Sequence, residues 1–350
     1  CSSDLSVKKT IALLTAGAAC LLFACGGKQK RAESERIPEY VLTYAENQPE
    51  DYPTTQGAFY FARLVEDRSD GRIRIQVKAE GEMGAERNVV EQLQFGGLDF
   101  ARVSLSSLGD RIPKLNVLQM PYLYTSSEHM WRVLEGEIGA DFLDSFQDFN
   151  LVALSWYDAG ARNFYSSRQP IEKVEDMKGM KVRVQDSALM ERMIQLLGAI
   201  PVPLDYDQVY SAFQTDEIDA AENNWPSYES MNHEEVAGYY TKDEHSRVPE
   251  VQLASRVTWE RLTKEDQEMI RQCAEESARY ERTLWEERSR NSEEIVRRNG
   301  CVVIELSSAE KAQFQAAVTP IYHEFCKNYM DIIERIKEEG RLLEQEEAEP

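Results

Sequence analysis

Two arginines and an asparagine stand where a folded chain could hold a small anion. Arg162 follows the β-rich run 151–157 and the turn Asp158-Ala159-Gly160. Arg183 sits in Lys181-Val182-Arg183-Val184, and Asn223 closes Ile218-Asp219-Ala220-Ala221-Glu222-Asn223, just before Trp225-Pro226. All three fall at strand-to-loop junctions, and ligands of open α/β sheets bind outside the strands' carboxyl ends. A guanidinium is a planar fork that pairs both oxygens of a carboxylate. An asparagine amide adds a donor and an acceptor for a neighbouring hydroxyl or carboxylate. The chemistry this set suits is non-covalent capture of an organic acid, with Tyr206 and Trp225 as an apolar wall or a platform for a sugar face. Each residue also has an ordinary structural use: Arg162 in a surface ion pair, Arg183 on an edge strand, Asn223 as a turn former, Tyr206 in a core.

Nothing marks a catalytic centre. The four histidines, His129, His233, His245 and His323, are scattered. No His-Glu-x-x-His, Gly-x-Ser-x-Gly, Walker or Gly-x-Gly-x-x-Gly pattern occurs. Cys273, Cys301 and Cys326 form no Cys-x-x-Cys, so neither a metal site nor a redox motif is expected, and no cofactor is implied. Carboxylates abound without any pair being singled out. With 62 acidic against 40 basic residues, the formal charge is −22. Such acidity argues against nucleic acid and anionic membrane as partners, and makes any local gathering of arginines more telling.

The elements that must position these residues read as two α/β halves. At 350 residues the chain is long enough for two domains. Strands are expected over 40–45, 72–78 and 98–105, alternating with helices over 53–67 and 85–95, which implies a largely parallel sheet covered by helices. Residues 117–124, with Pro121, read as a buried irregular segment. Thr125 and Glu128 have capping-box spacing for a helix carrying Met130, Trp131, Val133 and Leu134. In Asp176-Met177-Lys178-Gly179 a turn precedes the strand 181–184, where Val182 and Val184 face one side and Lys181 and Arg183 the other. A helix over 187–197, strands over 200–204 and 218–221, and a helix over 205–213 complete this half. Thr263 with Asp266 starts one long helix that Gly300 ends. About 36 residues at 1.5 Å each give roughly 54 Å. That exceeds the ~40 Å diameter of a domain of ~150 residues, so the helix is read as a strut shared by both halves. Two further helices follow, one capped by Ser307 with Glu310 and one restarted by Pro320 that ends near Gly340, before an acidic tail.

The N-terminus reads as a targeting segment. Lys8 and Lys9 precede an apolar run, 11–24, too short to span a bilayer, which needs about 20 residues. Leu22-Phe23-Ala24-Cys25 resembles a bacterial lipobox, which implies cleavage before Cys25, lipid on its sulfur and a polar tether after it. Val7 is expected to be the natural start, with residues 1–6 foreign to the gene product. Export permits one disulfide, with Cys301 to Cys326 the favoured pair; three buried thiols are the equal alternative.

At this point a family resemblance is plain. Gly160-Ala161-Arg162, Arg168-Gln169-Pro170-Ile171, Asp176 through Val184, and Ile218-Asp219-Ala220-Ala221-Glu222-Asn223-Asn224 resemble the signature of DctP-type solute-binding proteins. These are the extracytoplasmic receptors of TRAP (tripartite ATP-independent periplasmic) transporters. The resemblance spans roughly 38–335 and includes the long helix. It implies a periplasmic-binding-protein-like α/β fold, two domains that close on a ligand cleft, no enzymatic activity, and delivery of the ligand to TRAP membrane permease subunits. The domains implied are 38–160 plus 249–285 and 161–248 plus 286–340, after a signal peptide 1–24 and tether 25–37 and before a tail 341–350. By the same resemblance Arg183 forms the salt bridge with the ligand carboxylate, Arg162 is the second arginine, Asn223 the cleft asparagine and Tyr206 the cleft aromatic. Glu46, Glu86, Arg87 and Ser104 fall on first-domain loops facing the cleft. The loop 45–54, and Glu-Asn-Asn where many members have Glu-Asn-Pro, depart from sialic acid and simple dicarboxylate patterns toward members that bind uronates, aldonates or related sugar acids. Carboxylates at Glu46 or Glu86 suit sugar hydroxyls and repel a second ligand carboxylate. The protein is thus expected outside the cytoplasm, lipid-anchored and facing the periplasm or cell exterior. A lipid-anchored enzyme on carbohydrate or organic acid, and a receptor feeding a sensor kinase, are the competing readings.

Overall fold

Eleven strands form two sheets in the computed structural model, which describes residues 37–348. The strands are β1 (Tyr40–Ala45), β2 (Ile73–Lys78), β3 (Phe100–Ser104), β4 (Leu151–Tyr157), β5 (Ala161–Ser166), β6 (Lys181–Val184), β7 (Ile200–Pro203), β8 (Ala220–Asn223), β9 (Tyr239–Arg247), β10 (Glu250–Ser255) and β11 (Val302–Glu305). The expected signal peptide, Cys25 and most of the tether lie outside the described residues. The first sheet has the order β2-β1-β3-β10-β4 and the second β11-β9-β5-β8-β6-β7. Alternating β and α segments do give parallel pairing of β1 with β2 and β3. The sheet is nonetheless mixed rather than largely parallel, because β10 runs antiparallel between β3 and β4. Periodicity did not single out β9 and β10. In β10 Glu250, Gln252 and Ser255 are buried beside Val251, Leu253 and Ala254, so the strand has no wet face to alternate against.

The long helix is Lys264–Arg298, 35 residues, with Asp266 N donating to the capping Thr263 hydroxyl at 3.1 Å. Its first half buries Ile270, Cys273 and Ala274 with Phe61 of the helix Pro53–Arg68 and with Phe100 and Leu154 of the first sheet. Its far end buries Val296 with Tyr165, Ala221 and Tyr240 of the second. Between them Trp285 meets Tyr52 edge-on at 5.7 Å and packs on Ala159, in the link between β4 and β5. Gly160 is needed there: its φ is +59°, and an added Cβ would lie 2.8 Å from the Trp285 ring.

Local signals misjudged two details. Ser126, not Thr125, caps the helix Ser127–Glu135, accepting from His129 N. The last helix, Met330–Ala348, runs through Gly340 instead of stopping there. Gly340 serves close packing, since a Cβ would fall 2.6 Å from the His129 ring, whose Nε2 lies 2.7 Å from the Ile336 carbonyl. The three thiols Cys273, Cys301 and Cys326 are free, with Cys301 against the Tyr228 hydroxyl and Cys326 in a different apolar cluster. Among the described residues no helix is long and apolar enough to cross a membrane.

Candidate functional site

A cleft of about 560 Å³ is lined from both sheets. On the second sheet, β6 is an interior strand between β7 and β8, so Arg183 is not at an edge. The turn before it is held by Asp176, whose carboxylate accepts from the Glu172 and Lys173 amides at 3.0 and 3.1 Å, and Gly179 takes φ +76°. Asp219 then pins the strand's start: its side chain accepts from Lys181 N at 2.9 Å and its own amide donates to Lys181 O at 2.8 Å. The two sequence stretches that stood out are thereby one structural unit. Val182 and Val184 are buried in the apolar core, and Arg183, between them, points to the cleft.

Arg183 is 2% exposed, yet no carboxylate lies within ion-pair distance of it among the described residues. Nε and Nη2 both donate to the Leu204 carbonyl, at 3.0 and 2.6 Å, which orients the fork and leaves Nη1 without a protein acceptor. Burial pushes the pKa of this guanidinium below the usual arginine range, and the charge of Arg162 pushes the same way, against Glu222. Arg162 is in the opposite condition. Burial would lower its pKa, but Glu222 more than offsets this and holds it up. Nε and Nη2 of Arg162 grip Glu222 at 2.5 and 2.9 Å, again leaving Nη1. Glu222 is itself fully buried; burial would raise its pKa, but Arg162 and His245 bring it down to about 2. His245 stacks on Phe164 at 4.3 Å and contacts Asp243 at 2.9 Å and Glu222 at 3.4 Å. A register shift in the β5–β9 pairing after Arg162 makes room for this cluster. Arg162 is therefore neutralised by contact from behind, whereas Arg183 feels Glu222 only at longer range and has no carboxylate in contact among the described residues.

The other expected residues fall into place unevenly. Asn223 lines the cleft, its Oδ1 accepting from Asn224 N at 2.9 Å. Tyr206 lines it too, its buried hydroxyl beside Ser227, Ser230 and Gln48; burial raises its pKa and these neighbours work against the rise. Glu86, Arg87 and Ser104 are on the first-sheet wall. Glu46 is not: it is 3% exposed and lies behind that wall, both oxygens engaged by Arg102 and by the Asn47 and Gln48 amides. Trp225 is likewise in a core, stacked on Tyr240 at 3.7 Å, and offers the cleft nothing.

Arg102 and Glu250 are the residues that sequence reasoning missed. Arg102, 3% exposed, pairs with Glu46, Glu86 and Glu250, so three carboxylates surround one guanidinium. Burial, with Glu250 close by, raises the Glu86 pKa to about 7. A lone arginine inside Phe100-Ala101-Arg102-Val103 was the available signal, because a charge in an apolar strand must be paired. Gln185, on the second-sheet side of the cleft, also presents a buried side-chain oxygen with no partner among the described residues. Across the mouth Arg87 meets Asp186 at 2.5 Å, and the Tyr52 hydroxyl meets Ser227 at 2.9 Å. Among the described residues no cluster of His, Cys, Asp or Glu is arranged to hold a metal ion.

The arrangement can therefore bind a monoanion at Arg183 and Arg162 while the opposite wall accepts hydrogen bonds. Comparison with known proteins agrees in fold and family. Residues 44–328 match the model of DctP, bacterial extracellular solute-binding protein family 7. A solute-binding protein of Chromohalobacter salexigens is 37% identical over 284 residues, 81% of this chain and 84% of that protein. A TRAP periplasmic solute-binding protein from a Bradyrhizobium species, solved with D-galacturonate, superposes with a TM-score of 0.83 at 38% identity, covering 85% of this chain and 99% of that one. One from Pseudomonas putida with bound D-glucuronate gives 0.82 at 36%, covering 85% and 96%. This chain belongs to the bacterial extracellular solute-binding protein family 7, the DctP family.

Proposed function

We propose that this protein is the substrate receptor of a TRAP transporter for a sugar acid, most closely a hexuronate. The observation that carries the reading is the buried Arg183, which lacks a carboxylate partner and faces a wall of acceptors. A ligand carboxylate on Arg183 Nη1 and Arg162 Nη1 supplies the missing negative charge, with Asn223 and Tyr206 beside it. Closure removes water, and the ion pair strengthens as the local dielectric falls. The relatives solved with galacturonate and glucuronate support the ligand class. The hinge lies where Tyr52, Ala159 and Trp285 meet, between a first domain 38–160 plus 249–285 and a second 161–248 plus 286–340. Membrane permease subunits take the ligand from the closed form, a two-state shift biased by binding. The ligand leaves unaltered, so the protein is a receptor and not an enzyme. Lipid on Cys25 holds it at the membrane, outside the cytoplasm.

A thermal-shift panel of uronates, aldonates, sialic acids, dicarboxylates and keto acids tests this, since a ligand that binds only the native state raises Tm. Uronates should give the largest shift and be recovered unchanged. A dicarboxylate or keto acid that outranks every sugar acid, or conversion of the bound compound, would overturn the reading.

A further inference from the structure

Glu250 opens β10 and sits opposite Ser104 of β3, on the cleft wall across from Arg183. Of the three carboxylates around Arg102, two have no acceptor capacity pointing to a ligand. Glu46 Oε1 takes the Asn47 and Gln48 amides and Arg102 Nη2, and its Oε2 takes Arg102 Nε. Glu86 Oε1 takes Arg102 Nη1 and Asn47 Nδ2, and its Oε2 takes the Ser107 hydroxyl and Ser104 N. Glu250 Oε2 takes Arg102 Nη1 at 2.9 Å, while its Oε1 has no protein donor among the described residues.

Arg102 is saturated in the complementary sense. A guanidinium has five N–H donors. Here Nη1 serves Glu86 and Glu250, Nη2 serves Glu46 and Asn47, and Nε serves Glu46. No donor of Arg102 remains for a ligand. The other lining cations near this wall, Arg87 and Arg111, are paired with Asp186 and Glu91. This wall thus offers a ligand one carboxylate oxygen and no unpaired guanidinium.

We infer that Glu250 decides what the receptor accepts at the ligand end remote from Arg183: it takes a hydrogen bond from a hydroxyl there and rejects a second carboxylate. The inference rests on the reading of Arg183 as the carboxylate anchor. A uronate closes to a pyranose with one carboxylate, whereas the corresponding aldarate is open-chain with a second carboxylate, so the change in their affinity ratio on substituting Glu250, in which the common difference of shape cancels, isolates Glu250's charge. An aldarate would place its second anion among three carboxylates with their shared cation already used, and like charges juxtaposed in a low-dielectric site are strongly disfavoured.

Titration calorimetry of the wild-type protein and Glu250→Gln with galacturonate, galactarate, glucuronate and glucarate tests this. Glutamine keeps the shape and an acceptor for Arg102 while removing the charge. The wild type should prefer each uronate over its aldarate by about a hundredfold or more, the size expected of an uncompensated like charge. In Glu250→Gln that ratio should shrink by about tenfold or more. An unchanged ratio in the variant, or wild-type affinities within about threefold of each other, would overturn Glu250's role while leaving the sugar-acid reading intact. Absence of binding to any sugar acid would overturn that reading, and this inference with it. If the variant does not fold, as judged by circular dichroism, wild-type affinities for galactonate and galactarate decide, because these open-chain acids differ only in a terminal hydroxymethyl against a carboxylate: preference for galactonate supports Glu250's role and equal affinity overturns it.

Discussion

Replacing Arg183 by glutamine should separate binding from stability, with effects of opposite sign. Arg183 is buried, lacks an acidic partner and faces the cleft. Truncating one member of a buried, hydrogen-bonded charge pair costs roughly 2–5 kcal/mol of binding. At 1.4 kcal/mol per decade this is a loss of roughly 30- to 4,000-fold in affinity for the uronate. The empty protein should respond otherwise. A buried cation with no carboxylate in direct contact is itself unfavourable, because its desolvation is only partly offset, so replacing it by a neutral amide should not cost the empty protein stability. Glutamine also retains an N–H to donate toward the Leu204 carbonyl, which Arg183 now engages at 2.6 Å. Calorimetric titration would measure the first effect, and thermal unfolding without ligand the second. Expected are lost binding and a melting temperature equal to or above wild type. A variant that melts several degrees lower but binds normally would show that Arg183 is a structural residue, and the reasoning would fail.

Arg162 should behave differently although it lies in the same cleft. Arg162→Gln strands the fully buried Glu222, and breaking a buried pair from one side costs about 3–5 kcal/mol of stability; denaturant unfolding should show this even without ligand. The pH profile of thermal stability follows from the same cluster. Glu222 is held at about 2, below its ordinary 4.5, so its contribution is present above pH 4.5 and is lost as pH falls toward 2. For His245, burial works against protonation but Asp243 and Glu222 prevail and raise it from 6.5 to about 9, so its contribution is full below pH 6.5 and lost as pH rises through 9. Glu86 adds a separate loss: burial raises it from 4.5 to about 7, so stability falls between pH 4.5 and 7 on its account and no further above that. The melting temperature should therefore decline from about pH 4.5 to 9, and His245→Gln should flatten the part between about pH 6.5 and 9; an identical slope there in the variant would refute the assignment.

Local physics was legible in the sequence. A turn that tolerates Gly179 at φ +76°, a four-residue strand with valines on one face, the Thr263 cap and the Ser307–Glu310 capping box all depend on neighbours a few residues apart. Such features place Arg183 on a strand's polar side and predict a helix long enough to join two halves. Family resemblance added Arg162, Asn223 and Tyr206 to the same cleft. Tertiary structure alone decided which charges are satisfied. Arg102 finds Glu86, Glu46 and Glu250 at sequence separations of 16, 56 and 148, and those contacts leave one free oxygen, on Glu250. They also withdraw Glu46 from the cleft wall. Hydrogen-bond saturation is a property of a completed neighbourhood. No window along the chain contains it, because strands such as β10, reaching the sheet from far away in sequence, supply the decisive partners.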